Sequence, residues 1–533
     1  MHTRRAFIRD LAAGGAAVIA AARLGELRAA AQASGWKGRI GLELYTVRDQ
    51  MAADFEGVLA RVAAIGYKEI EPASGYNNLP PARFRAMLDR LGLTMPSTHS
   101  GASGTGIELE KQLEGFQQMG IKYTEISTRP AGGTSPARAP LPPGRLRRIA
   151  IIEAERWVRE HQEADGSWGG IQPPWVWSIL LLAALGHGFE DETLRRAVEG
   201  WEGFTIDDGD RLRPEACQSP VWDTGLAVLA LRDSGLGPEH PALALAADWL
   251  VNEEVTVAGD WAVRTPELAP GGWAFEFQND LYPDVDDTAV VALALRRCHR
   301  GREAVGRGLA WTAGMQSRSG GWGAFDVDNE AYWLYKLPFC DFGKVTDEPS
   351  ADVTAHALEA LAPESRYDDE VRRGLDWLLR EQEADGSWFG RWGVNHVYGT
   401  GAALPALEAC GVEPGHPAFR CAVAWLDSVQ NEDGSFGEDI RSYADRSWRG
   451  RGAGTPSQTA WALLAYVAAD EASSDAARRA ADWLCSAQRS NGDWDEEHFT
   501  GTGFPLDFMI RYHLYRLHFP LLALGRLRER LSR

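Results

Sequence analysis

One spacing constrains this chain more than any other feature. A tryptophan is followed five residues later by a glutamine, and six residues after that by an aromatic, in five copies. They are RWVREHQEADGSW (Trp157, Gln162, Trp168), AWTAGMQSRSGGW (Trp311, Gln316, Trp322), DWLLREQEADGSW (Trp377, Gln382, Trp388), AWLDSVQNEDGSF (Trp425, Gln430, Phe436) and DWLCSAQRSNGDW (Trp483, Gln488, Trp494). A degenerate sixth, DWLVNEEVTVAGDW, has Glu254 in place of the glutamine and one extra residue before Trp261. Such copies make the chain an array of one supersecondary unit, each burying its apolar face on the next. A second half accompanies the first: VWDTGLAVLAL (Thr224), DVDDTAVVALAL (Thr288), DVTAHALEAL (Thr354), VYGTGAALPAL (Thr400) and SQTAWALLAY (Thr459). These apolar runs are too continuous for exposed helices and belong inside, whereas the glutamine-bearing helices carry Arg and Glu on one face. Outer and inner helices alternating about six times predict a mostly α fold, an α/α toroid, with Gly-containing turns reversing the chain. At each turn the Gln is placed to bond free backbone groups at helix ends, with the aromatic packed over it.

Aligned on the Thr, the positions two residues earlier are Trp222, Asp286, Asp352, Tyr398 and Ser457. Inner helices of a toroid share one direction, so these positions ring one end of its cavity. Asp286 sits in YPDVDDTAV with Asp284 and Asp287, three carboxylates in four positions at the mouth of an apolar helix. The helix N-terminus favours carboxylate. Burial and like charges oppose ionisation and keep one Asp protonated. His356, two residues after Thr354 on the neighbouring inner helix, is within reach. As an imidazolium it disperses the charge left when a proton departs. A dry, protonated carboxyl beside a cation suits a very weak base, such as an alkene.

DVDDTA at 284–289, the Gln-to-Trp turns, PFCDFG at 338–343, WFGRWGVN at 388–395 and GTGFPLDF at 501–508 together resemble the squalene–hopene cyclases, class II triterpene cyclases, from about 150 to 533. The resemblance implies that Asp286 protonates the terminal double bond of squalene, supported by Asp284 and Asp287 and paired with His356, and that the product is hopene or hopanol. It implies a cation-stabilising lining of Trp222, Phe275, Trp392, Phe504, Phe508, Tyr512 and Tyr515, because ring faces attract cations without trapping them. Phe504 and Phe508, four apart, share a face if that stretch is helical. Gln172 and Pro173 match the water-binding end, where the last cation loses a proton or gains hydroxyl. Phe339 and Cys340 match the substrate entrance. Asp341 and Asp347 read as structural. No metal or organic cofactor is implied. The implied partners are squalene, a membrane lipid surface on the cytoplasmic side and a second copy in a homodimer. The family's N-terminal part is missing, and AYWLYK at 331–336 departs from some relatives. A cyclase excludes water until its last step, so a missing wall matters.

The front of the chain has a different pattern. TRRAFIR at 3–9, an Ala-rich apolar run and Ala31-Gln32-Ala33 resemble a twin-arginine export signal over 1–33, which makes export an alternative location. Residues 34–130 alternate strand and helix, about four βα units, as in a partial (β/α)8 barrel of the sugar phosphate isomerase/epimerase (xylose isomerase-like) family, with Glu71 and His99 at strand ends. The Pro- and Gly-rich stretch 131–148 reads as a linker or fusion seam, and 149–533 as the cyclase-like toroid. A net charge of −20 argues against nucleic acid. The six cysteines show no CxxC or zinc spacing and read as thiols. No later segment has the 18 or more apolar residues of a spanning helix. A non-catalytic toroid serving as a binding module, and a sugar isomerase fused to helices, are the competing readings.

Overall fold

The computed structural model describes residues 41–44, 51, 54–71, 79–95, 97–102, 123–126, 145–336 and 346–533. The expected export signal and most of the expected linker lie outside these residues. The chain divides into two compact units, Met1–Pro140 and Leu141–Arg533.

In the first unit β1 (Gly41–Glu43) pairs in parallel with β2 (Glu69–Glu71). The crossover is α1 (Phe55–Ile65), started by Asp54, whose side chain accepts from the Gly57 N–H, and stopped by Gly66 in the left-handed region. After α2 (Pro81–Leu91) the Ile70 N–H donates to the Thr94 carbonyl at 2.9 Å. β3 (Ser97–Ala102) pairs in parallel with β4 (Tyr123–Ile126). Leu59, Ile70, Phe84 and Leu88 form the core. The expected βα alternation is present. Glu71 ends β2 as expected, but His99 lies inside β3 rather than at its end.

The second unit opens with α3 (Arg145–Glu160), α4 (Gln172–Ala184) and α5 (Glu192–Gly203). Residues 145–148 are thus helical, not linker: Pro and Gly end at Gly144. These helices enclose their own core of Val158, Trp168, Trp175, Leu182, Leu194 and Phe204. Next to it stands the toroid. Its inner helices are α6 (Pro220–Asp233), α8 (Val285–Arg297), α10 (Ala351–Leu361), α12 (His396–Ala409), α14 (Pro456–Ala468) and α16 (Tyr515–Leu531). Each packs on the next and α16 packs back on α6, which closes the ring. Its outer helices are α7 (Pro241–Asn252), α9 (Arg302–Gly314), α11 (Asp368–Arg380), α13 (Pro417–Val429) and α15 (Asp475–Ala487). The ring therefore spans 220–531, not 149–533. Burial follows the sequence pattern: every residue of α14 is buried, whereas α11 buries only Gly374, Trp377 and Leu378.

The repeat residues fasten neighbours together. Gln382 Nε2 donates to the Gly386 carbonyl in its own turn and to the Ala418 carbonyl in the first turn of the next outer helix, both at 2.9 Å. Gln316 and Gln430 do the same. Trp322 and Trp388 are each held twice. Trp322 donates its indole N–H to the Thr312 carbonyl at 2.7 Å and its backbone N–H to Thr354 Oγ1 at 3.0 Å. Thr400 and Thr459 accept from Trp388 and Phe436 in the same way, so the inner-helix threonine is the socket of the turn. In the degenerate copy this place belongs to Trp273, not to the expected Trp261. Trp273 donates to the Leu250 carbonyl and to Thr288 Oγ1, and an insertion displaces it twelve residues. Glu254 there forms a two-pronged ion pair with Arg307 in place of the glutamine bridge.

Candidate active site

Asp284 caps α8: its Oδ1 accepts the Asp287 N–H at 2.7 Å. Asp286 and Asp287 occupy the first turn, and all three carboxyls are buried. Burial, then the charge of Asp286, pushes Asp284 up to about 7 against the hydrogen bonds from Asp287. Burial also raises Asp287 well above the usual range, with Asp284 and Asp286 adding to it. The two carboxyls are buried three residues apart at one helix start, and like charges there oppose ionising both together. Asp286 turns the other way. Its Oδ1 accepts from His356 Nδ1 at 2.5 Å. The two side chains keep 11% and 17% of their surface, so neither stands in bulk solvent. Burial disfavours a charged imidazole at His356. The charge and hydrogen bond of Asp286, followed by Glu359 and Asp352, outweigh it and raise His356 to about 9.

A circuit of aromatics closes around this pair. The Trp222 ring lies 6.2 Å from His356, His356 6.4 Å from Tyr398, Tyr398 4.7 Å from Trp461, and Trp461 6.2 Å from Tyr515. The Tyr515 hydroxyl accepts the Trp222 indole N–H at 3.0 Å, which completes the loop. Each of the six inner helices contributes one residue: Trp222, Asp286, His356, Tyr398, Trp461 and Tyr515. Tyr512 stacks on Tyr515 at 4.4 Å and meets Phe275 edge-on at 6.3 Å. The register of the repeat had pointed to Trp222, Asp286 and Tyr398. Trp461, and Phe519 at 5.2 Å from it, gave no signal beyond their apolar helices.

A second cluster joins two motifs distant in sequence. β7 (Gly501–Phe504) and β8 (Phe508–Ile510) form an antiparallel hairpin, so Phe504 and Phe508 face each other across strands. The condition for a shared helical face is not met: Gly501, Gly503 and Pro505 disfavour a helix, and Leu506 turns with a φ of 71°. The Thr502 N–H donates to the Trp392 carbonyl at 3.1 Å. Asp352 Oδ2 accepts the backbone N–H groups of Arg391 and Trp392 at 2.9 and 2.7 Å. Arg391 lies over Trp392 and Phe504, 4.3 and 5.9 Å from the ring centres, so a guanidinium already covers one face of each. Glycine permits the close approach to the circuit. A Cβ on Gly393 would lie 2.5 Å from the Tyr398 ring, and one on Gly501 2.5 Å from that of Tyr512.

Gln172 and Pro173 begin α4, outside the ring. The Gln172 N–H donates to the Ala216 carbonyl, and the next residue, Cys217, hydrogen-bonds Tyr512. Phe339, Cys340 and Asp341 lie outside the described residues. Asp347 accepts three backbone N–H groups, from Ala324, Phe325 and Asp326, and holds a turn. Among the described residues no three His, Cys, Asp or Glu side chains are arranged to hold a metal ion. Among them also, no helix is long and apolar enough to cross a membrane.

The family model described as the squalene-hopene cyclase C-terminal domain matches residues 218–529, and that of the squalene-hopene cyclase N-terminal domain matches 133–210. Part of the N-terminal domain expected to be missing is therefore present, starting inside the expected linker. The squalene–hopene cyclase of Alicyclobacillus acidocaldarius is 47% identical over 457 residues, covering 82% of this chain and 68% of that protein. Dammaradiene synthase of Dryopteris crassirhizoma is 42% identical over 417 residues, covering 72% and 60%. The squalene–hopene cyclase of Zymomonas mobilis is 42% identical over 404 residues, covering 73% and 61%. The chain spans 60% to 68% of the length of these relatives.

Proposed function

This chain belongs to the squalene–hopene cyclase family, and we propose that it cyclises squalene, a polyprenoid, to pentacyclic hopene and hopanol. The observation that carries this is the 2.5 Å contact between Asp286 and His356 inside the aromatic circuit. Asp286 gives its proton to the terminal double bond. A C–H bond forms at one alkene carbon and the other becomes a tertiary cation. The His356 imidazolium stabilises the carboxylate left behind. Asp284 and Asp287, not both ionised, keep further negative charge away from it. Successive double bonds then attack the cation, ring by ring, and Trp222, Tyr398, Trp461, Tyr512, Tyr515 and Phe275 present ring faces to it, each worth about 0.5–2 kcal/mol when dry. Trp392, Phe504 and Phe508 serve later rings. At the Gln172–Pro173 end the last cation loses a proton or takes water and then a proton is lost from oxygen.

Squalene dissolves in lipid, and the substrate is drawn from a membrane surface through the entrance at Phe339 and Cys340. The exposed Trp177 and Leu180 of α4, 55% and 50% accessible, support contact with lipid. We place the protein on the membrane as a homodimer facing the cytoplasm; the N-terminal signal pattern makes the exported side the alternative. Flotation with liposomes and protease protection of membrane vesicles decide attachment and side, and sedimentation decides the dimer. The activity is tested by incubating the expressed chain with squalene and identifying pentacyclic products by mass spectrometry, with Asp286→Asn as control. Product from the wild type alone supports the proposal. Product from neither supports a non-catalytic toroid.

A further inference from the structure

Glu163 and Glu276 are buried carboxyls that the proposed chemistry does not use; 5% and 4% of their surfaces remain accessible. Glu163 stands in the turn between α3 and α4. Its Oε2 accepts from Ser167 Oγ at 2.7 Å and its Oε1 from the Gly169 N–H at 2.8 Å. Glu276 follows Phe275 in the loop that leads from Trp273 to the Asp284 cap. Its Oε2 accepts the Gln278 N–H at 3.0 Å, while its buried Oε1 has no partner of this kind. The Glu276 side chain lies over Gly170, where a Cβ would come within 2.2 Å of its Cγ. Glu163 holds the Gly169 N–H and Glu276 covers Gly170, so two neighbouring residues bring the two buried carboxyls to one place.

The charges around them give no relief. No Lys, Arg or His among the described residues forms an ion pair with either carboxyl. Asp165, in the same turn, adds a like charge to both. Arg196 of α5 spends its donors on the Glu163 and Ala164 carbonyls, at 3.0 and 2.8 Å. On the toroid side Asp260 accepts from Tyr282 and meets His161. Two ionised carboxylates in this setting would repel at short range in a dry place. Burial raises both, and Glu276 reaches about 8.

We infer that Glu163 and Glu276 form a clasp that shares one proton, positions the Phe275 loop against the Gly169–Pro173 turn, and limits the water that reaches the end of the reaction. The last part rests on the cyclase reading above; the clasp itself does not. The proton sits on Glu276 and is donated to Glu163. As pH rises past about 8 it leaves, the carboxylates repel and the turn parts from the loop. Because the folded-state value is raised, the stabilisation is full below the ordinary glutamate range and is lost as pH climbs through about 8.

The test compares the purified full chain with Glu276→Gln, whose amide keeps the hydrogen bond without a titrating proton. Between about pH 5 and 8 the melting temperature of the wild type falls relative to the variant by about 2 °C per pH unit. Parallel curves overturn the clasp. If Glu276→Gln does not fold, Glu163→Gln supplies the same comparison. With squalene, the alcohol share of the wild-type product rises above about pH 8 while that of Glu276→Gln stays level. A level share in the wild type, with diverging melting curves, overturns the water-limiting role and supports the clasp. Absence of product at every pH overturns the cyclase reading, and with it the water-limiting role, and leaves the melting curves to decide the clasp.

Discussion

The two ends of the inner ring are built from the same six helices and carry opposite chemistry. At the N-terminal end stand Asp284, Asp286, Asp287 and Asp352, with Glu438 accepting the Val397 N–H at the start of α12 and Glu496 accepting the Ser457 N–H at the start of α14. At the C-terminal end stand Arg296 and Arg297 of α8 and Arg526, Arg528 and Arg530 of α16. Parallel helices add their dipoles, so one end favours anions and the other cations. The ends differ in how the charges are settled. Arg526 donates to Asp233 at 2.8 Å and to Glu359 at 3.3 Å, and Arg297 meets Asp233 at 3.2 Å, which ties α6, α8, α10 and α16 with ionised pairs. At the other end the only cation in the circuit is His356, and two of the three α8 carboxyls are held toward their neutral form. One end is a lock made of full charges. The other stores a proton.

That contrast breaks most visibly at Asp286. Asp286→Asn is expected to lower squalene turnover by about 10²–10⁴-fold, the usual worth of a general acid. Its circular dichroism stays that of the wild type, because a neutral amide of similar shape replaces the carboxyl, while its melting temperature near neutral pH falls, because His356 loses the charge that stabilises its imidazolium. Mass spectrometric product counts and melting curves check both halves.

At the opposite end the effect falls on stability. Arg526→Met leaves the buried Asp233 with Arg297 alone and the half-buried Glu359 without this cation, and costs about 1–3 kcal/mol. Urea unfolding measures it. Turnover per folded molecule stays within a few-fold, since the substitution lies at the far end of the helices from Asp286. A variant that lost turnover and kept its stability would erase the distinction between the ends.

Titration sharpens the comparison next. His356 is raised to about 9 from an ordinary value near 6.5, so its stabilisation is full below about 6.5 and lost as pH rises through about 9. The span corresponds to about 3 kcal/mol. Asp286→Asn removes most of that slope, and the imidazole resonances of His356 then titrate near neutrality by NMR. Turnover of the wild type declines over the same window, because the neutral imidazole no longer balances the Asp286 carboxylate.

The smallest expected effect concerns the outer layer. Gln382→Ala removes the two hydrogen bonds that join neighbouring outer helices, a cost of about 1–3 kcal/mol. Gln488 donates only to the Gly492 carbonyl, on an exposed turn, and Gln488→Ala costs less than about 1 kcal/mol. Chemical denaturation of the two variants side by side gives the difference.

Much of this was legible in the sequence for a definite reason. The Trp–Gln–aromatic spacing and the Thr at the head of each apolar run are local patterns, and the structure uses each of them as a fastening. Alignment on the Thr placed Asp286 at one end of the ring and His356 near it, and the two meet. Tyr398 and Asp352 stood in the same register row. The failures are equally local. Trp261 has the sequence spacing of a turn aromatic, but Trp273 takes the socket on Thr288, because only the fold shows that an insertion has moved the turn. Phe504 and Phe508 have helical spacing and lie on a hairpin that is held by the Trp392 backbone carbonyl.

The sequence by itself determined the repeating unit, which helices lie inside, and which residues begin them, because those properties depend on residues a few positions apart on one helix or turn. Tertiary structure alone decided where protons reside. Closure of the ring brings Trp222 to Tyr515 across 293 positions and Asp286 to His356 across 70. The protonation of Asp284, Asp287, Glu163 and Glu276 depends on burial and on neighbours that tertiary packing supplies. Desolvation is a property of the enclosed volume, and no local pattern in the chain encodes it.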